Sequence, residues 1–160
     1  MFRCASICLV YLFLIAAGAN AQTFDEKYGK MISDDAAREA IKLALKKIGT
    51  AVCESNRPCA AASADEFDRP PITVIDGRAA MVFGIKSALA QWCGLDWKRS
   101  FLPMLAFGKQ KVRMSDRQMQ LMTLTHGDFQ GRQFAFYSKS GQCPPQLQQQ
   151  LDAQLPKLNR

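Results

Sequence analysis

The sequence predicts an all-α fold, a small helical bundle of four main helices plus a short C-terminal helix, stapled by two disulfides. Three observations carry that expectation. Apolar residues recur at three- and four-residue steps in successive segments, the spacing of a helix with one buried face. The one β-branched stretch, Ile72 to Ile75, is a short extended piece with no partner strand after it. Four cysteines remain once an N-terminal secretory signal is set aside.

That signal is expected over residues 1–21, MFRCASICLVYLFLIAAGANA. Arg3 supplies the basic start, residues 7–17 the apolar run, and Ala19-Asn20-Ala21 the small-residue cleavage site. A membrane anchor needs about 20 apolar residues, more than this run offers. Cleavage near Ala21 implies a periplasmic or secreted protein and removes Cys4 and Cys8. No later segment is long and apolar enough to span a membrane, and the remaining length suits one domain. Residues 22–32 are polar and without a clear period, a flexible leader to a single helical domain over 33–160.

The first helix is expected after Ser33, whose side chain can cap it, with Asp34 and Asp35 at the positive end of the helix dipole. Ala37, Ile41, Ala44, Leu45, Ile48 and Val52 form its apolar face, and Cys53 ends it. The connection 54–71 is punctuated by Pro58 and Pro70-Pro71, with a helical turn or two expected between Ala60 and Phe67. A second helix starts at Asp76 and runs to Cys93, with Gly94 as its stop. A third begins at Asp96, and Pro103 either kinks it or moves its start to Ser100. Gly108 weakens its end, and 109–114 form a basic turn. Ser115 and Gln118 make a capping box for the fourth helix, which continues past Arg132 into an aromatic run, 134–137, that is helical or extended. Leu147, Leu151, Leu155 and Leu158 mark the final short helix after Pro144-Pro145.

If helices two, three and four run up, down and up, Cys93 and Cys143 meet at one pole, and Cys53 pairs locally with Cys59. Chain entropy assigns about 4 kcal/mol to the Cys93–Cys143 loop and about 2 kcal/mol to the Cys53–Cys59 loop. Redox catalysis is disfavoured because the close pair is separated by five residues and is not at a helix N-terminus. One histidine and these cysteines form no recognisable zinc spacing, so neither a metal nor another cofactor is expected.

His126, the only histidine, lies in 123-TLTHGDFQGRQ-133. Met119, Met122, His126, Phe129, Gln133 and Phe136 fall on one helix face, which makes His126 a core residue with a satisfied hydrogen bond. Gln130, one turn on, is its local candidate partner. Gly127 and Gly131 each cost about 1 kcal/mol in a helix relative to alanine, which points to close packing against Gly84 and Ala88 of the second helix. Trp92 and Trp97 bracket the junction at Cys93, where they shield the disulfide or line a pocket.

Lys98, Arg99, Lys109, Lys111, Arg113 and Arg117 gather around the third helix and its exit, in a chain of net charge +7. They form a candidate anion-binding surface for an acidic protein or an anionic envelope polymer. The absence of interleaved aromatic residues, and export itself, argue against nucleic acid. No G-x-S-x-G, H-E-x-x-H or free cysteine nucleophile accompanies His126. The sequence therefore favours an exported, non-enzymatic binding protein of the cell envelope, an inhibitor, immunity or chaperone-like factor. The alternatives are a small hydrolase using His126 and a protein that holds an apolar ligand among its methionines and phenylalanines.

Overall fold

A computed structural model of the chain describes residues 32–53 and 56–158. The expected signal segment with Cys4 and Cys8, and the expected leader up to residue 31, lie outside the described residues, which are mostly helical and contain no strand. Six helices follow in order: α1 Asp34–Lys47, α2 Ala64–Asp68, α3 Val74–Trp92, α4 Lys98–Phe107, α5 Asp116–Ser138 and α6 Pro145–Gln154. The bundle is stapled by Cys53–Cys59 and Cys93–Cys143.

Helix α1 begins where expected, the Ser33 hydroxyl accepting the Ala36 N–H at 3.2 Å. Its buried residues are Ala37, Ala40, Ile41, Ala44 and Leu45. It ends sooner than the apolar period implies. A single 3-10 turn, Ile48–Thr50, closes it, and the Thr50 hydroxyl donates to the Lys47 carbonyl. Val52 is therefore outside the helix and 48% exposed. Cys53 lies in a tight loop, donating its N–H to the Arg57 carbonyl while Cys59 donates to that of Ala51. Ile32, expected in the leader, is instead buried and accepts a hydrogen bond from the buried Arg78, which also pairs with Asp34.

Two N-termini show how local chemistry outcompetes propensity. Helix α3 is capped by Thr73, and Asp76 is the third helical residue that closes the capping box, not the cap itself. Val74 and Ile75 consequently enter the first turn, so the expected extended piece is absent and Ile72 packs in the core. Helix α2 has the same device in Ser63 and Glu66. Helix α4 runs through Pro103 without a later start. Past it, residues Gly108–Val112 form one π-helical turn, not a plain basic turn, which ends at Arg113 in the left-handed region with φ 55°. A Cβ at Gly108 would sit 2.6 Å from the Met119 sulfur, so a larger residue there would make that flexible side chain shift. The Ser115–Gln118 capping box opens α5, and the aromatic run 134–137 is helical.

Helices α3 and α5 form the largest interface and run parallel: Gln118 bonds to Pro71, Gln130 to Gln91, and Trp92 stacks on Tyr137. Helix α4 returns between them in sequence, and α1 packs against both. This up, down, up order places Cys93 and Cys143 at one pole, with Cα atoms 4.9 Å apart. The main core joins Ile41, Leu45 and Ile48 of the first segment to Ala80, Met104, Leu121 and Met122. Met81, Met104, Met119 and Met122 are all buried core residues.

The close contact between α3 and α5 differs from expectation. A Cβ at Gly84 would lie 2.7 Å from the His126 carbonyl oxygen and 3.2 Å from the Gln130 N, and Ala88 is fully buried. Gly127 and Gly131, however, are exposed, and a Cβ at either meets nothing within 4 Å. The face of α5 that meets Gly84 is the one bearing His126 and Phe129. One residue further round the helix, Gly127 points away from it.

Candidate functional site

His126 is 1% exposed, on the face of α5 that α3 covers. Its Nε2 lies 2.9 Å from the Ser87 hydroxyl of α3, and Ser87 is itself fully buried. The Ser87 hydroxyl also reaches the Trp97 carbonyl at 3.4 Å. Both bonds are satisfied together when His126 Nε2–H donates to Ser87 and Ser87 O–H donates to Trp97, a relay that holds the neutral ring in one tautomer. Phe101 and Trp97 cover the imidazole, with ring centroids at 4.8 Å and 6.5 Å. Burial pushes the His126 pKa down to about 4, so the ring is neutral at physiological pH.

The expected local partner is not used. The Gln130 amide donates to Gln91 Oε1 at 2.9 Å, not to His126. Asp128 pairs with Lys47 and Arg132. A serine next to a histidine resembles a hydrolytic dyad, yet here both side chains are enclosed, and in the relay form the ring is a donor to the serine, the reverse of a general base. Phe136, placed by the spacing on the same core row, is instead 64% exposed, while its neighbour Tyr137 is the residue that stacks on Trp92 of α3. The neighbouring Thr125 hydroxyl is buried without a hydrogen-bond partner. No motif in the sequence marks Ser87, although it follows Gly84 by three residues and so shares its face of α3.

The basic cluster divides. Arg99 clasps the end of α6, donating to the carbonyls of Asp152, Leu155 and Pro156 and pairing with the Asp152 carboxylate. Arg117 forms a two-pronged pair with Glu66 at 2.6 and 2.7 Å and donates to the Ala60 carbonyl. The Arg117 hydrogen bonds hold the Glu66 carboxyl below the usual carboxylate range. These two arginines tie remote segments to the bundle and leave the candidate anion surface. Lys98, Lys109 and Arg113 remain exposed, with Lys111 in the same π-helical turn. Leu102, Phe107 and Val112 are exposed beside them in the chain, Phe107 at 60%.

No family model matches the chain, and neither the curated proteins nor the solved structures offer a significant match.

The tryptophans have separate tasks. Trp97 packs on Phe101 over His126. Trp92 donates its indole N–H to the Gly141 carbonyl at 2.9 Å and stacks on Tyr137, holding the loop that brings Cys143 to Cys93. A recess of about 480 Å³ opens beside this disulfide, lined by Trp92, Phe134 and the amides Gln91, Gln142 and Gln148. Among the described residues no cluster of three or more His, Cys, Asp or Glu side chains has the arrangement of a metal site, and no helix is long and apolar enough to cross a membrane.

Proposed function

We propose that this chain is an exported, non-enzymatic interaction protein of the cell envelope, of the inhibitor, immunity or chaperone-like kind, and that it meets an acidic protein partner through the shoulder made by α4 and the π-helical turn. One observation carries the reading. Between Trp97 and Ser115 the chain has no acidic residue and, besides the Arg99 that clasps α6, four basic ones, with Leu102, Phe107 and Val112 exposed among them. Exposed aromatic and aliphatic anchors rimmed by cations suit a partner with a complementary acidic rim. A plain polyanion would use the lysines and arginine but gain nothing from Phe107 and Val112. The N-terminal signal pattern and the two disulfides support an oxidising compartment.

The test is crosslinking in an envelope extract with the wild type and two surface variants, Phe107→Ser/Val112→Ser and Lys109→Glu/Arg113→Glu. The proposal expects one stoichiometric acidic protein, lost in both variants while their melting temperatures stay unchanged. Binding that survives the apolar variant and fails only on charge reversal identifies a polyanion and overturns the protein partner. A partner retained by both variants removes the shoulder from the contact.

A further inference from the structure

The recess over the Cys93–Cys143 disulfide has an uncharged lining. Charged residues make up 22% of the chain, yet none lines this recess. Its walls are amides, a serine hydroxyl, two aromatic rings and the backbone of two glycines. Gly94 and Gly141 both have positive φ, +70° and +90°, where other residues are strained, and a Cβ at either would project into open space. The floor is fixed by a covalent bond, and the Trp92 ring is held by its hydrogen bond to Gly141 and its stacking on Tyr137.

The amides are also oriented. Gln91 accepts from Gln130 through its carbonyl oxygen, which leaves its NH2 for an incoming acceptor. Gln148 donates its NH2 to the Cys93 carbonyl at 2.8 Å, which leaves its carbonyl oxygen for an incoming donor. A rigid aromatic plate, one presented donor, one presented acceptor and no charge match a ligand with an apolar C–H face and a rim of hydroxyls. An anionic or cationic ligand would find no counter-charge, and a wholly apolar one would strip water from the amides without replacing their bonds. The volume falls within the roughly 300–1,000 Å³ of small-molecule sites.

We propose that this recess binds a neutral oligosaccharide, stacking one sugar ring on Trp92 and Phe134 and bridging Gln91, Gln142 and Gln148 through hydroxyl groups. The site is separate from the basic shoulder and does not depend on it.

The two tryptophans provide an internal control. In the ¹⁵N-labelled protein each gives one indole N–H resonance, and Trp97 packs over His126 and does not line the recess. Titration with cellotetraose, chitotetraose and maltotetraose, each to about 10 mM, reaches even millimolar dissociation constants. At least one sugar is expected to shift the Trp92 resonance and leave that of Trp97 in place. Gln142→Ala, at an exposed position, should weaken that binding about fivefold, the effect of one lost hydrogen bond, with no change in melting temperature. No shift with any of the three sugars overturns the proposal. So do equal shifts at both tryptophans, or a shift produced by an uncharged glutamine-containing tetrapeptide and by none of the sugars.

Discussion

Acidification should destabilise this protein through His126 as pH falls below about 6.5. Buried between α3, Trp97 and Phe101, the imidazole has its pKa lowered from 6.5 to about 4. An unfolded chain exposes the same ring at its ordinary value. Between those two values the unfolded state holds a proton that the folded state does not, so stability falls as pH drops through about 6.5 and the loss is complete near pH 4. A separation of about 2.5 pKa units corresponds to about 3 kcal/mol, a large share of the 5–15 kcal/mol that such domains possess. Urea unfolding at pH 7.5, 5.5 and 4.5 measures it, with His126→Gln as the reference. The variant should be less stable at pH 7.5 because it loses the packed ring, and its stability should change much less between pH 7.5 and 4.5. Parallel pH profiles for the two proteins would refute the reasoning. So would a His126 ring resonance that titrates near 6.5 in the folded state.

Ser87→Ala leaves the His126 ring nitrogen without its partner and should cost about 1–3 kcal/mol in urea unfolding. Any esterase activity in a purified preparation should survive it unchanged. Gly127→Ala and Gly131→Ala should each stabilise the protein by up to about 1 kcal/mol, because both positions are helical, exposed and uncrowded. Gly84→Ala should destabilise it by about 1–3 kcal/mol, since its Cβ would collide with the α5 backbone. Replacing Cys93 and Cys143 together by serine should lower stability by about 4 kcal/mol, against about 2 kcal/mol for Cys53 and Cys59, and a reversed order would contradict the loop-closure account.

Much of the fold was legible because it is written in local chemistry. Ser33 and the Ser115–Gln118 pair announce helix starts within four residues of chain, and apolar spacing marks the faces of α1 and α5. The disulfide pairing followed from helix order alone, which puts Cys93 and Cys143 at the same pole. What escaped is of two kinds, one local and one between elements. Thr73 rather than Asp76 caps α3 because the carboxylate does more at the third position, where it accepts the Thr73 N–H while the threonine hydroxyl accepts that of Asp76. The π-helical turn is marked by no period, and its Gly108 sits against Met119, eleven residues on in sequence.

The candidate sites illustrate the same limit with functional consequences. Six basic residues clustered in sequence look like one surface, but Arg99 and Arg117 are claimed by carbonyls and carboxylates from segments more than 50 residues away. A guanidinium with several donors satisfies such scattered acceptors better than an ammonium does, which suits Arg99 and Arg117 to their places. Arg113, also an arginine, stays exposed with Lys98 and Lys109 because, among the described residues, no acceptor of a remote segment reaches it. The division is testable at Arg117. Arg117→Lys keeps the charge but loses the two-pronged geometry to Glu66 and the bond to Ala60, and should cost about 2 kcal/mol. The segment from Ala60 to Asp68 should then become the first site of limited proteolysis. Lys109→Arg, on the exposed turn, should change neither measurement, and equal effects at the two positions would mean that Arg117 belongs to the solvent-facing surface after all.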